Sequence, residues 1–280
     1  MPFFILANPR SGSTMFRLIL NAHSRVVVPP ESGFTLWYAD KYTGFDGFSE
    51  AILDEFISDI LRAKKFETLG LSKKLLREVI FTGNPESYVG LVDLVYKAYA
   101  KKMGKDVDVV GDKNNYYINH IAELLQYFPK EKFILLIRDG RDVALSYKNL
   151  NRVALGSRYR PQLTAEIEEI AFEWRTNGLE FLNLMNTPNV MLVRYEDLLS
   201  NTESRIQAVL RFLEVSYEGS VLDFYLKNDE PKDFLKWKGK TTEAIDPSNT
   251  GKYKKFLSAS EIEIFNEISG DVLDAFGYDK

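Results

Sequence analysis

Apolar positions along this chain alternate between short continuous runs and helical periods. Such runs, separated by amphipathic segments, are typical of a parallel sheet that helices cover on both faces. The runs predict five buried strands, over Pro2 to Ala7, Val26 to Val28, Val107 to Val110, Lys132 to Ile137 and Asn189 to Arg194. We therefore expect one α/β domain over residues 1–280.

Helical periodicity marks much of the sequence between and after these strands. It predicts helices over Glu50 to Lys64, Ser72 to Ile80, Pro85 to Met103 and Ala165 to Met185, and a last helix that begins near Ser258. For the third helix, Asn84 is the predicted N-cap, Pro85 the first helical residue and Gly104 the residue just past the end. The segment Asn228 to Lys255 is polar, lysine-rich and poor in periodicity, which is typical of a functional lid or of a disordered loop.

Composition narrows the classes of protein that fit this pattern. The chain is 45% hydrophobic and 27% charged, as soluble globular proteins are, and its net charge of -4 would not attract nucleic acid or an anionic membrane. Cysteine is absent, which excludes disulfides, thiolate nucleophiles and cysteine-bound metals. No window has the ~18 apolar residues of a membrane span, and no signal-peptide pattern precedes the first strand. We expect a cytoplasmic protein without a nucleic-acid or membrane partner.

An anion site is indicated where the first strand ends. The stretch Phe3 to Leu20, FFILANPRSGSTMFRLIL, runs from an apolar strand through a Gly/Ser-rich turn into an amphipathic helix. Backbone N–H groups of such a turn, the helix dipole and the side chains of Arg10, Ser11, Ser13 and Thr14 can all point at one phosphate or sulfate. The alternative is an ordinary glycine turn between strand and helix.

A second group of polar residues follows the strand Lys132 to Ile137. Arg138 and Arg141 lie directly after that strand, and Ser146 lies about two turns along the helix that comes next. In a doubly wound sheet, residues past the carboxyl end of a strand face the ligand crevice, so these side chains would meet a nucleotide. The alternative is that the arginines form surface salt bridges with neighbouring aspartates.

Together the two groups resemble the sulfotransferases that use 3'-phosphoadenosine-5'-phosphosulfate (PAPS). PRSGST, from Pro9 to Thr14, is similar to their 5'-phosphosulfate loop, and RDGRDVALS, from Arg138 to Ser146, to their 3'-phosphate motif. VRYEDLL (Val193 to Leu199) and NTGKYKKF (Asn249 to Phe256) match further family segments in the same order. The resemblance implies a P-loop-like parallel sheet flanked by helices, PAPS as co-substrate with 3'-phosphoadenosine-5'-phosphate (PAP) as product, and no metal. The nucleotide-binding residues that it implies are Arg10, Ser11, Gly12, Ser13, Thr14, Arg138, Ser146, Tyr195 and Lys252.

Departures from one branch of that family change the expected catalytic residues. The cytosolic enzymes that sulfate small phenols and steroids carry lysine in the first loop, where Arg10 stands here, and a catalytic histidine where Asn115 stands. The tyrosylprotein sulfotransferases are more similar. Their pattern aligns Glu31 with the general base and Lys113 with a lysine near the transferring sulfuryl group, so the implied catalytic set is Glu31, Lys113 and Arg10. Taken alone, Glu31 would be a loop acid and Lys113 a surface lysine.

The resemblance predicts an enzyme that transfers a sulfuryl group from PAPS to a hydroxyl or amine of a small-molecule acceptor. Such transfer depends on positioning and on charge stabilisation, which Arg10 and Lys113 would supply. A P-loop kinase or NTPase is an alternative, but ANPRSGST lacks the first glycine and the lysine of G-x-x-x-x-G-K-[ST]. A non-catalytic nucleotide-binding module is a third interpretation. Protein tyrosine and carbohydrate are the alternative acceptors.

Aromatic and acidic residues after the second strand bear on the acceptor. The aromatic residues are Phe34, Trp37, Tyr38, Tyr42, Phe45 and Phe48, and the acids among them are Glu31, Asp40, Asp46 and Glu50. As a cavity wall they would favour an aromatic or cationic small molecule over an acidic polysaccharide. The alternative is a helix that buries its aromatic side in the core.

Overall fold

The protein is described by a computed structural model that covers residues 1–45, 47–151, 156 and 158–279. Its centre is one sheet of five parallel strands in the order β2-β3-β1-β4-β5, which confirms the predicted parallel α/β sheet. The strands are β1 (Pro2–Ala7), β2 (Val26–Val27), β3 (Val109–Lys113), β4 (Phe133–Ile137) and β5 (Val190–Arg194).

Helices cover both faces of the sheet. The longer ones are α1 (Ser13–Asn21), α4 (Glu50–Arg62), α5 (Lys73–Gly83), α6 (Tyr88–Lys102), α8 (Gly140–Asn151), α9 (Ile167–Leu184), α11 (Thr202–Phe212) and α14 (Ala259–Ala275). The shorter ones are α2 (Phe34–Trp37), α3 (Ala39–Thr43), α7 (Ile121–Tyr127), α10 (Tyr195–Ser200), α12 (Leu235–Lys238) and α13 (Tyr253–Phe256). Short 3₁₀ helices span Phe66–Leu69, Asn115–Asn119, Gly219–Lys227 and Gly239–Thr242. In the described part of the chain no helix is long and apolar enough to span a membrane.

The central strands are apolar at every position because both of their faces are buried. In β1, Phe4 and Leu6 pack into the core beneath α4, α6 and α9, whereas Phe3 and Ile5 pack into a second core beneath α1 and α11. Alternate side chains of a strand point to opposite faces, so a strand between two helical layers needs a continuous apolar run. The short runs of the sequence therefore located the strands of the sheet.

Many of the predicted strand and helix boundaries differ from the observed ones by one to three residues, and two of these differences have a clear local reason. The third strand begins at Val109 and continues to Lys113, because the ladder with β1 extends through the polar residues and pairs Ile5 with Lys113. The predicted Asn84 cap is wrong: Asn84 ends α5 in a left-handed conformation with φ 43°, and the Ser87 hydroxyl caps α6 by accepting from the Gly90 N–H at 3.2 Å. Asparagine is a common N-cap, but it also tolerates the left-handed conformation that ends many helices. Asn84 has the second role here.

The polar segment after Asn228 is ordered and crosses the carboxyl edge of the sheet. We call residues 228–252 the strap. At its start, Asp229 and Glu230 lie 2.8 and 2.6 Å from the buried guanidinium of Arg17. At its end, the backbone N–H of Gly251 donates at 2.7 Å to the carboxylate of Asp142, which lies in α8. Buried ion pairing and backbone hydrogen bonds thus hold both ends of the strap against the sheet.

Candidate functional site

A cavity of about 900 Å³ lies between the carboxyl ends of the strands and the strap. Every strand contributes to its lining through the residues that follow it, including Arg10 after β1, Glu31 after β2, Asn115 after β3, Arg138 after β4 and Tyr195 after β5. The carboxyl edge of a parallel sheet is where α/β proteins bind ligands. This cavity is therefore the candidate site.

The turn between β1 and α1 presents its backbone to the cavity. Arg10 and Gly12 have φ angles of 68° and 86°, so the chain curls tightly before α1 begins at Ser13. Among the described residues, no side chain caps the first turn of α1, and the Ser11 hydroxyl is buried without a hydrogen-bond partner. Free N–H groups at a helix N-terminus fit an anion such as a phosphosulfate, whereas Ser11 is buried and does not line the cavity.

Arg10 joins the two polar groups that the sequence had indicated separately. Its Nε donates to Ser146 Oγ at 3.0 Å, and its Nη1 donates to the backbone carbonyl of Trp237 in the strap at 3.0 Å. Burial lowers the pKa of Arg10, and the charge of the nearby Arg138 lowers it further. Two guanidinium groups held close together form a local positive field that an anionic ligand would relieve.

Arg138 and Tyr195 continue this wall of the cavity. Arg138 Nη1 donates to the carbonyl of Arg10 at 3.0 Å, and its guanidinium lies 4.6 Å from the centroid of the Tyr195 ring. The Arg138 Nε is buried without a partner in the described part of the chain. The same tyrosine ring covers Gly12 so closely that a Cβ there would lie 2.5 Å from Tyr195 Cδ2. Glycine at position 12 is therefore required for this packing.

Arg141 lies outside the cavity, which is a correction to its predicted place. Its Nε and Nη2 donate to the carboxylate of Asp139 at 3.0 and 2.9 Å, and its guanidinium lies 4.2 Å from the centroid of the Tyr253 ring. The salt bridge of the alternative forms, but it is buried and not on the surface, since 1% of Arg141 is exposed. Lys252, in contrast, lines the cavity at the end of the strap, as the matched segment implied.

Glu31 and Lys113 come together on the other side of the turn. The Lys113 ammonium donates to Glu31 Oε1 and lies 3.4 Å from Thr14 Oγ1, so it bridges the carboxylate and the anion-binding turn. Two further lysines surround the same carboxylate: Lys65 Nζ is 3.0 Å from Glu31 Oε2 and Lys238 Nζ is 3.9 Å from Oε1. The sequence had aligned Glu31 and Lys113 but did not indicate the other two lysines.

The charges around Glu31 decide its protonation. Burial alone would raise its pKa, but the charges of Lys113, Lys238 and Lys65 outweigh burial and hold the pKa well below 4.5. Burial lowers the pKa of Lys113, and the carboxylate of Glu31 opposes that effect. Glu31 is consequently ionised at neutral pH, which is the form that can accept a proton.

Asn115, which stands where related enzymes carry histidine, lines the cavity beside the turn. Its side-chain Oδ1 accepts a hydrogen bond from Ser13 Oγ at 3.1 Å, and its neighbour Tyr116 also faces the cavity. The extension of β3 to Lys113 brings this segment to the sheet edge. The described residues contain no group of three His, Asp or Glu side chains arranged to hold a metal ion.

The predicted aromatic wall after β2 is wrong. None of its described aromatic residues lines the cavity; Phe34 and Tyr42 are fully buried in the core, and Trp37 packs against Tyr116 from outside. Asp40 lies on the surface, and Asp46 lies outside the described residues. The core alternative therefore holds for Phe34 and Tyr42, whereas Trp37 and Phe45 remain about 40% exposed outside the cavity. The aromatic residues that do line the cavity are Tyr116, Tyr159, Tyr195, Phe234 and Trp237.

Comparison with known proteins gives consistent matches. A model described as "Sulfotransferase family" matches residues 2–219. The chain is 24% identical over 288 aligned residues to "Protein-tyrosine sulfotransferase 1" of Danio rerio, covering 99% of this chain and 72% of that protein. Its fold resembles the sulfotransferase domain from the curacin biosynthetic pathway, with a TM-score of 0.61, 20% identity and coverage of 100% of this chain and 99% of that one. It also resembles mouse sulfotransferase SULT7A1 complexed with PAP, with a TM-score of 0.52, 10% identity and coverage of 97% and 83%.

Proposed function

Since the chain belongs to the sulfotransferase family, we propose that it transfers the sulfuryl group of PAPS to a hydroxyl of a small-molecule acceptor, with Glu31 as general base. The observation that carries the proposal is the contact between Arg10 and Ser146, which are 136 positions apart in the sequence. This contact unites two anion-binding segments in one cavity. A nucleotide with phosphate groups at two positions needs both segments.

The residues around the cavity fit the donor. The turn from Pro9 to Thr14 and the N-terminus of α1 would hold the 5'-phosphosulfate, with the side chains of Ser13 and Thr14 lining the cavity there. Arg138 and Ser146 would hold the 3'-phosphate, for which the unpaired Nε of Arg138 is available. Tyr195 and Lys252 would complete this side. SULT7A1, which has the same fold, is complexed with PAP.

Sulfuryl transfer needs positive charge beside the donor nucleotide and a base beside the hydroxyl of the acceptor molecule. The sulfur–oxygen bond to the phosphate breaks while a sulfur–oxygen bond to the acceptor forms, and the hydroxyl proton passes to a Glu31 carboxylate oxygen. Arg10 and Lys113 stabilise the negative charge that develops on the leaving phosphate. Lys113 is suited to this role because its ammonium already touches both Glu31 and Thr14 of the turn.

The burial of Glu31 favours a small acceptor. Only 8% of this residue is exposed, and Lys238 of the strap lies against it. The donor would occupy part of the same cavity of about 900 Å³, which leaves limited room next to the carboxylate. Protein tyrosine is the second candidate, which the protein-tyrosine sulfotransferase of Danio rerio favours. If the enzyme sulfates a tyrosine peptide in preference to every small phenol and alcohol tested, protein tyrosine is the acceptor.

Calorimetry with PAP and ADP tests the donor. We expect PAP to bind more tightly, because ADP lacks the 3'-phosphate that Arg138 and Ser146 would hold. Arg138→Ala should weaken PAP binding about 10- to 150-fold, the equivalent of one lost charge-assisted contact of about 1.5–3 kcal/mol. Equal affinity for ADP, or turnover that stops when EDTA removes divalent cations, would instead favour the kinase alternative.

Substitution of Glu31 tests the base. Glu31→Gln should lower kcat by about 10²- to 10⁴-fold, because the amide keeps the shape but cannot accept the proton. PAP affinity should not fall, since the neighbouring lysines keep their positive charge. Glu180→Gln, the same substitution at an exposed position of α9, is the matched control. A near-normal rate in the Glu31 variant would assign the proton transfer to another group.

A further inference from the structure

Positive charge is concentrated around the cavity. The described lining residues include ten lysines and arginines but only four acids, although the whole chain has a net charge of -4. Arg10, Arg138 and Lys252 lie on the side that we propose for the donor. Several other cations lie where an acceptor would approach Glu31, and the donor does not account for them.

The acceptor side can be traced by contacts from Glu31. Lys65, which contacts Glu31, lies with its Nζ 5.6 Å from the ring centroid of Phe234, and that ring meets Tyr159 at 5.9 Å between centroids. Tyr159 stands between Arg158 and Arg160 in the chain, and Lys64 precedes Lys65. We call Lys64, Lys65, Arg158, Tyr159, Arg160 and Phe234 the basic mouth; all six line the cavity.

Three cations of the basic mouth carry uncompensated charge. In the described part of the chain, Lys64, Arg158 and Arg160 form no ion pair, whereas Lys65 pairs with Glu31. Arg160 is held in place by donating from Nη2 to the Leu150 carbonyl at 2.9 Å, and its Nε is buried without a partner. The guanidinium of Arg158 lies 5.2 Å from the Tyr159 ring centroid, so cations without an acidic partner beside this ring offer a site for an anionic group on an apolar body.

We infer that the acceptor carries a carboxylate, which the basic mouth binds while its apolar body packs on Tyr159 and Phe234. The inference rests on the proposed function, because it concerns the acceptor of that same transfer. It reverses the sign expected from the aromatic and acidic residues after β2, because Glu31 is the only one of those described that lines the cavity. The cations would raise the local concentration of an anionic acceptor and orient its hydroxyl toward Glu31.

Three phenols of one shape and different charge test this inference. Radiolabelled PAPS is used with 4-hydroxyphenylacetate, its neutral amide and the cationic tyramine. The expected order of kcat/KM is acid, amide, amine, with about a 10-fold advantage of the acid over the amide that shrinks as salt is added. Equal values for the three acceptors, or a preference for tyramine, would overturn the inference.

Substitutions in the basic mouth test where the carboxylate of the acceptor binds. Lys64→Gln and Arg158→Gln should each lower the ratio of kcat/KM for the acid to that for the amide by about 3- to 10-fold, through KM. Lys130→Gln, at an exposed position away from the cavity, is the control and should leave the ratio as it is. An unchanged ratio in both mouth variants contradicts the assignment.

Direct binding separates this inference from the proposed function. Calorimetry measures PAP first and then the acid and the amide on the PAP complex. Loss of PAP binding would refute the donor assignment itself. Normal PAP binding, with no preference for the acid over the amide on the complex, would refute the carboxylate inference alone.

Discussion

Replacing Gly12 by alanine tests whether the anion-binding turn and Tyr195 form one unit. Gly12 has a φ of 86°, a backbone conformation that an L side chain adopts with strain. A Cβ at this position would lie 2.5 Å from Tyr195 Cδ2 and closer still to Cε2. Carbon atoms normally approach to ~3.5–4.0 Å, so the ring would have to move by about 1 Å or more.

The cost has two parts that can be separated. The left-handed backbone contributes about 1–2 kcal/mol of strain in any surroundings. The displaced ring would lose its contact with Arg138 at 4.6 Å and its hydrogen bond from Asn249 Nδ2 at 2.8 Å. Those losses are worth about 0.5–1 and 0.5–1.5 kcal/mol. We expect Gly12→Ala to lower the free energy of unfolding by about 2–4 kcal/mol and to weaken PAP binding about 10-fold or more.

Gly47 provides the matched control. Its φ is 83°, nearly that of Gly12, but among the described residues no atom beyond its chain neighbours lies within 4 Å of its added Cβ. Gly47→Ala should therefore show the strain alone, with PAP affinity like that of the unsubstituted protein. Urea unfolding and PAP calorimetry measure both quantities for each variant. The double variant Gly12→Ala/Tyr195→Leu should recover part of the lost stability. Equal stability loss in the two glycine variants, together with normal PAP binding by Gly12→Ala, would refute the reasoning.

Two further predictions concern buried charges. Arg17→Met should lower the free energy of unfolding in urea by about 3–5 kcal/mol, because it leaves Asp229 buried without its ion-pair partner and leaves Glu230 with Lys238 alone; a loss below about 1 kcal/mol would show that Arg17 does not hold the start of the strap. Burial raises the pKa of Asp112 to about 6, so the folded protein keeps a proton that the unfolded chain releases, and the free energy of unfolding falls as pH rises from about 4 to about 6. Asp112→Asn should remove that fall of about 3 kcal/mol when unfolding is compared near pH 4 and near pH 7, and an identical pH dependence in both proteins would contradict the prediction.

Local sequence was enough for the features that depend on consecutive residues. The strand-turn-helix at Arg10 and the strand end at Arg138 could be recognised because each lies within one short segment. Parallel topology then implied that strand ends share one edge, which is where the structure brings Arg10 and Ser146 into contact. The family resemblance indicated Glu31 and Lys113 as catalytic residues, and the two side chains are in contact.

Local sequence does not predict which side chains of a helix or strand face the core and which face the cavity. The aromatic residues from Phe34 to Phe48 have a helical period that suits a cavity wall and a core equally well, and only the tertiary packing buries Phe34 and Tyr42 in the core. Arg141 and Arg138 are both arginines just past β4, yet one pairs with Asp139 and the other faces the cavity. Their directions differ because Arg138 lies before α8, which begins at Gly140, whereas Arg141 lies inside the first turn of that helix.

The sequence by itself determined the parallel α/β architecture, the family and the positions of the two segments that we propose to bind anions, because strand burial and turn chemistry are local properties of the chain. The tertiary structure alone decided that Lys65 and Lys238 surround Glu31, and that the mouth of the cavity is basic. Those side chains come from separate segments with no motif of their own. Long-range packing brings them together, and the resulting charge and burial belong to the assembled cavity.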